Sequence, residues 1–215
     1  MVRLQKQQVN REHYEFSHYG HVGRFASYHY QLREVLALTP ASVLEVGAGD
    51  GVFGDYIRRR TAIQYAVLDV AEDLHPDVIG DVREMPFEDD SHDVVCAFQV
   101  LEHLPWEGVP QALAEMARVA RTHVVLSVPH FAPQLKILLK IPFVPEMRAA
   151  VKIPFPKPHR FDGEHYWELG KRGYPVRRFR ALLARHGSIL REFVPFEYQY
   201  HRFFIIKKIK KTHAH

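Results

Sequence analysis

Apolar residues fall in short unbroken runs that alternate with stretches of helical spacing. ASVLEVG (41–47), IQYAVLDV (63–70), DVIGD (77–81), HDVVCAFQV (92–100) and THVVLSVP (122–129) read as strands buried on both faces. Between them, GVFGDYIRRR (51–60) and WEGVPQALAEMARVAR (106–121) place apolar residues on one helical face. The first ends on three arginines, which suit the negative end of a helix. Ahead of this core, RFASYHYQLREVLAL (24–38) predicts a helix closed by Thr39 and Pro40. Prolines at 129, 133, 142, 145, 154, 156 and 158 predict short helices and extended pieces. YPVRRFRALLARHG (174–187) returns to helical spacing, and SILREFVPFEY (188–198) and HRFFIIKKI (201–209) read as an antiparallel pair.

Strands alternating with helices imply βαβ units and a parallel sheet covered on both sides. The expected class is α/β: a Rossmann-like, doubly wound, seven-stranded and mostly parallel sheet whose last strand is antiparallel. An amino-terminal helical arm and a Pro-rich insertion after strand five complete it. One domain is expected over 1–215: an arm or lid (1–40), a cofactor-binding core (41–128), a substrate-side insertion (129–173), and a last helix with terminal strands (174–209).

Composition narrows the setting. The 215 residues are 47% hydrophobic and 25% charged, which excludes disorder and collagen-like structure. The single Cys96 cannot form an internal bridge. No apolar run reaches the roughly 18 residues of a membrane span, and MVRLQKQQVNREHYEF is too polar for a secretory signal, so a cytoplasmic protein is expected. Net charge is +4 with histidines neutral, and from Arg172 onward the only acids are Glu192 and Glu197. That basic end, with its KKIKKTHAH tail, reads as a solvated face or a contact for phosphate, nucleic acid or anionic lipid.

The most informative segment is VLEVGAGDGVFG (43–54), a strand feeding a glycine-rich turn that opens into a helix. Gly49, Gly51 and Gly54 satisfy G-x-G-x-x-G, with Asp69 twenty residues after Gly49, as a nicotinamide dinucleotide site would want. Glu45 precedes the loop in the order E-x-G-x-G-x-G. Asp69 closes the second strand, Asp81 follows the third in GDVREMPF, and FQVLEHL (98–104) follows the fourth. These markers, in this order, resemble the class I S-adenosylmethionine-dependent methyltransferases over about 41–130. The resemblance implies S-adenosylmethionine as cofactor, gripped by Glu45, Gly47, Ala48, Gly49, Asp69, Val70, Asp81, Val82, Phe98 and Gln99. Asp69 would accept the ribose hydroxyls and Asp81 the adenine amino group, with the Val82 N–H facing a ring nitrogen. Carbonyls near Gly47 and Phe98–Gln99 would meet the methionine ammonium. The resemblance also sets Glu45 near that ammonium; a carboxylate capping the turn is a compatible role.

An oxygen acceptor must lose its proton as methyl transfer proceeds. His103, beside Glu102 at the carboxyl edge of strand four, is the first choice for that base; capping the helix is its bland alternative. Glu102, His103, His130 and His159 also offer metal ligands. The Glu-His pair faintly resembles small-RNA 3′-end 2′-O-methyltransferases and quinone-pathway O-methyltransferases. Gln99 stands where such sites want a second carboxylate, so no metal is expected.

The acceptor pocket is expected from the flanks: the lid-like EHYEFSHYGHVGRF (12–25), SVPHFAPQLKILLKIPFVP (127–145) and KPHRFDGEHYWELGKRGYP (157–175). His130, His165, Tyr166 and Trp167 are the named candidates, as a polar pocket with aromatic walls that suits sugar rings. FDGEHYWELG with YHRFF loosely resembles methyltransferases of bacterial surface-glycan pathways, which implies a small-molecule or saccharide acceptor. LKILLKIPF is either a substrate lid or a membrane contact. The rival reading is an RNA modifier using the basic end with Phe179, Phe196, Tyr198 and Tyr200. A non-catalytic cofactor-binding protein and a nicotinamide-dependent oxidoreductase are further rivals.

Overall fold

The computed structural model describes residues 7–209; the ends of the chain, including Lys210 and Lys211 of the basic tail, lie outside the described residues. The strands are β1 (Ser42–Val46), β2 (Gln64–Asp69), β3 (Val78–Ile79), β4 (His92–Phe98), β5 (Ala120–Pro129), β6 (Gln134–Leu139), β7 (Met147–Lys152), β8 (Gly187–Phe193) and β9 (His201–Lys208). The helices are α1 (Phe16–Tyr19), α2 (Val22–Leu36), α3 (Val52–Arg60), α4 (Val109–Val119) and α5 (Val176–Leu183). Seven strands form one sheet in the order β3-β2-β1-β4-β5-β9-β8. β1 to β5 pair in parallel, whereas β9 runs antiparallel to both β5 and β8. The expected doubly wound sheet with its antiparallel last strand is therefore what the chain builds.

Strand alternation decides which side chains meet which helices. Leu44, Val46, Val95, Ala97, Val124 and Leu126 join the core under α4 and α5. Val43, Val94, Cys96 and Val125 face the other way, onto Phe53 and Ile57 of α3 and Val35 of α2. Glu45 shares that second face by parity, which places a carboxyl in an otherwise apolar layer.

The segment after β5 differs from expectation. Instead of short helices it holds an antiparallel hairpin, β6 with β7. The physical reason lies in where the prolines stand. Pro133 and Pro154 bracket the hairpin, and Pro142 and Pro145 lie between its strands, so none interrupts 134–139 or 147–152. Proline is tolerated at strand ends and turns. Helix 106–121 is also shorter than its pattern: Trp106–Gly108 forms a single 3-10 turn before α4.

Candidate active site at the carboxyl edge

β1 to β4 all end at one edge, and the order of the sheet reverses between β1 and β4, where open α/β sheets bind ligands. A cavity of about 350 Å³ opens there. Its floor comes from the strand ends: Gly47 and Gly49, Asp69 and Val70, Asp81 and Val82, Phe98 and Gln99. Ala48 and Glu45 lie on a smaller hollow that shares Gly47, Gly49 and Phe98 with the main one.

The glycine loop is held by the acid of the next strand. Asp69 accepts from the Ala48 amide at 2.6 Å and the Ala71 amide at 2.8 Å, so one carboxylate ties together the turns after β1 and β2. Burial raises its pKa, and those amide bonds pull against the rise. Gly47 has a φ of 88°, and a Cβ there would come within 2.5 Å of Val100. Gly54 is required by close approach instead, since a Cβ would meet the Tyr65 hydroxyl at 2.4 Å. That hydroxyl donates to Glu45. The third glycine of G-x-G-x-x-G thus makes room for a Tyr65–Glu45 pair.

Burial holds the Glu45 carboxyl up at about 8; the Tyr65 bond lowers it, while the charges of Asp50 and Asp69 add to the rise. Asp81 is buried and gripped by Arg83, with Nε–Oδ1 at 2.9 Å and NH2–Oδ2 at 2.7 Å. Its outer face still borders the cavity beside Val82.

On the acceptor side the structure brings together groups far apart in the chain. His103 lines the cavity and directs Nδ1 at Gln8 Oε1 (2.7 Å) and the Glu164 carbonyl (3.1 Å). Both partners are acceptors, so the ring proton resides on Nδ1 and the lone pair on Nε2. Burial, with the charge of His165 beside it, pulls His103 down to about 4, so it is neutral at pH 7.

Glu102 is fully buried beneath His103, and its Oε2 finds no hydrogen-bond donor among the described residues. Burial pushes it up to about 7. Gln99 has a left-handed backbone (φ 59°), and with its amide oxygen and nitrogen exchanged it would donate to His201 Nε2 and Glu102 Oε1 and accept from Ser127 Oγ and the Val128 amide.

His165 lines the cavity with its ring 5.1 Å from that of His103. Burial lowers its pKa, but the bond to Glu168 and the charges of Glu102 and Asp162 raise it on balance. Glu168 also accepts from the Tyr200 hydroxyl at 2.7 Å. Burial alone would raise Glu168; His165, Tyr200 and Lys171 together bring it to about 2.

Three expected acceptor residues sit elsewhere. Trp167 is fully buried in the core under α4 and α5, donating Nε1–H to the Leu104 carbonyl at 3.1 Å. Tyr166 points outward and stacks on Phe161 at 4.5 Å. His130 accepts from Arg202 Nε at 3.0 Å, and burial beside Lys152 and Arg202 lowers it to about 3. The proposed ligand set also separates: His159 Nε2 faces the His165 carbonyl, while His165 itself joins Glu102 and His103, with one ligand atom of each within 4.8 Å of the others. Trp167→Ala is expected to cost about 3–5 kcal/mol of stability by denaturant melting; a loss under about 1 kcal/mol would place the ring outside the core.

Sequence reasoning missed Gln8 and Glu168, and named Tyr200 only as a stacking ring for RNA. Gln8 carries no motif, and the other two meet only because β9 folds back beside β5. The amino-terminal arm places His13, Tyr14, His18, Tyr19 and Arg24 on the cavity wall.

Residues 44–128 match the family model for a methyltransferase domain. Over those residues the chain carries a methyltransferase domain, and it shares its fold with solved methyltransferases that hold S-adenosylhomocysteine. This sets aside the nicotinamide reading. No curated protein matches the chain. Among solved structures, the methyltransferase is similar in fold to the 1,6-didemethyltoxoflavin-N1-methyltransferase of Burkholderia thailandensis, crystallised with 1,6-didemethyltoxoflavin and S-adenosylhomocysteine. Identity is 16%, coverage 87% of this chain and 78% of that one, and the TM-score 0.58. Magnesium protoporphyrin IX methyltransferase of Synechocystis PCC 6803, with bound S-adenosylhomocysteine, gives 14%, 87%, 84% and 0.58. The small RNA methyltransferase HEN1 gives 12% identity and a TM-score of 0.62, over 87% of this chain and 25% of that one.

The cavity fits such a nucleoside. Asp69 and Asp81 offer acceptors, and Leu68, Val70, Leu74 and Val82 give it apolar lining. At Gly49 no atom of the described residues stands within 4 Å of where a Cβ would be, so the backbone is bare toward a ligand. No helix among the described residues is long and apolar enough to cross a membrane.

Proposed function

We propose that the methyltransferase acts on a hydroxyl of a polar small molecule or saccharide precursor, with His103 receiving the acceptor's proton. When bound, S-adenosylmethionine supplies an electrophilic sulfonium methyl. The chain's part is to hold the hydroxyl in line, exclude water and take its proton at His103 Nε2. The observation that carries this reading is the fixed tautomer of a neutral His103 on the cavity wall. Imidazole and phenol groups of His165, Tyr14, Tyr19 and Tyr200 surround the same space and suit a hydroxylated acceptor.

An RNA acceptor is supported less well. Phe179 is in the core and Tyr200 in the cavity, while Arg180 and Arg202 are paired with Glu192 and Lys208 with Asp90. Screening acceptor pools with a labelled methyl donor is expected to yield an O-methyl product of low mass. Labelled RNA as the sole product would remove the proposal.

On the cofactor side, Asp69 would bind the ribose hydroxyls, Asp81 and the Val82 N–H the adenine, and Glu45 the ammonium. Because burial raises Glu45 to about 8, a neighbouring ammonium would draw its proton off. S-adenosylhomocysteine affinity is expected to rise by up to about tenfold per pH unit below 8 and level off above it. Calorimetry in two buffers of different ionisation enthalpy reads the released proton; identical heats would detach Glu45 from the ammonium.

The grouping of Glu102, His103 and His165 around an unsatisfied Glu102 oxygen supports a second reading, a divalent cation that polarises the acceptor. Activity lost on chelation and restored by a divalent metal would favour it; unchanged turnover leaves His103 as the base.

A further inference from the structure

The β6–β7 hairpin has two unlike faces. Residues directly opposite in an antiparallel pair point the same way, so the pairs Leu135–Val151, Ile137–Ala149 and Leu139–Met147 form one face. All six side chains are apolar, and all six are exposed. The other face carries Lys136, Arg148 and Lys152, and each of these reaches the body of the protein. Lys136 Nζ lies 3.3 Å from the Glu197 carbonyl, Arg148 2.6 Å from the Glu197 carboxylate, and Lys152 2.5 Å from the His130 carbonyl. The cations therefore clamp the ribbon down and turn its apolar side outward. At the tip, Phe143 is completely exposed, with Ile141 and Val144 beside it.

An outward apolar face of this kind marks an interaction surface. Charge selects the occupant. From 134 to 160 the chain has six cations (Lys136, Lys140, Arg148, Lys152, Lys157 and Arg160) against Glu146 alone. A second copy packed face to face would set this positive segment against itself. An anionic lipid surface answers both features, taking the apolar side chains below the headgroups and the exposed Lys140, Lys157 and Arg160 among them. The hairpin's two outer edges carry unpaired backbone groups, which keep it at the interface and out of the hydrocarbon.

We propose that the β6–β7 hairpin docks the protein onto anionic membrane, independently of which acceptor the active site takes. The hairpin leaves the body directly beyond His130, at the end of β5, so a docked molecule holds its acceptor-side loops close to the bilayer.

The test is flotation of the full chain with phosphatidylcholine vesicles and with vesicles enriched in phosphatidylglycerol, at low and raised salt. Binding is expected on the anionic vesicles, weakened by salt and by at least about tenfold in Ile137→Asp and in Phe143→Asp. Both residues are exposed, so both variants should keep the parent's melting temperature and S-adenosylhomocysteine affinity. Lost vesicle binding with retained ligand binding tests the hairpin alone, apart from the methyltransferase assignment. Absence of binding to anionic vesicles at low salt would overturn the proposal. So would a dimer in sedimentation that Ile137→Asp dissociates, which would assign the face to self-association.

Discussion

Asp69→Ala is expected to weaken S-adenosylhomocysteine binding by about a hundredfold or more while the chain remains folded. Two losses add up in this variant. The carboxylate that would take the ribose hydroxyls disappears, and hydrogen bonds to a charged group are each worth about 1.5–3 kcal/mol. The Ala48 and Ala71 amides also lose the acceptor that fixes the two turns against each other. Asp69→Asn separates these contributions, since its amide oxygen still accepts one amide bond without the charge. It should fall between wild type and alanine. Calorimetric affinity close to wild type in Asp69→Ala, with unchanged circular dichroism, would place the nucleoside away from the β1–β2 edge.

His103→Ala carries the second large effect, a fall in kcat of about 10²–10⁴ with cofactor affinity within a few-fold of wild type. The imidazole lines the cavity beside His165 and Glu164, so its removal should spare the ground-state complex. His103→Gln keeps a polar group of similar reach yet offers no basic nitrogen, and it should remain as slow as alanine. The pH profile supplies a further check. With its pKa near 4, His103 stays neutral throughout the neutral range, so a limb of the wild-type profile near pH 7 has to come from another group, such as Glu102. Undiminished turnover in His103→Ala would falsify its role as base.

The cofactor edge was legible in the sequence because each contributor ends a strand whose periodicity is plain. Glu45, Asp69 and Asp81 stand at fixed places relative to buried runs, and the parallel sheet gathers those places at one edge. The acceptor side was legible only in part. His165 was found through its neighbourhood of acids and aromatics, but the same aperiodic stretch gave no sign that Trp167 turns inward while His165 does not. That choice depends on Trp106, Tyr174 and Phe179, which provide the ring's packing. The contact of Tyr200 with Glu168 is likewise a product of tertiary pairing. In the hairpin, proline density suggested broken structure, whereas proline position permitted two intact strands.

The packing of Trp167 has a practical consequence for optical work. The chain's two tryptophans stand edge to face, 4.8 Å apart, and both are buried. Intrinsic emission therefore comes from one sheltered indole pair and should be blue-shifted. Because Trp167 is continuous with His165 and Glu168, a red shift at constant helical signal would report that their segment had come unseated before the sheet melted.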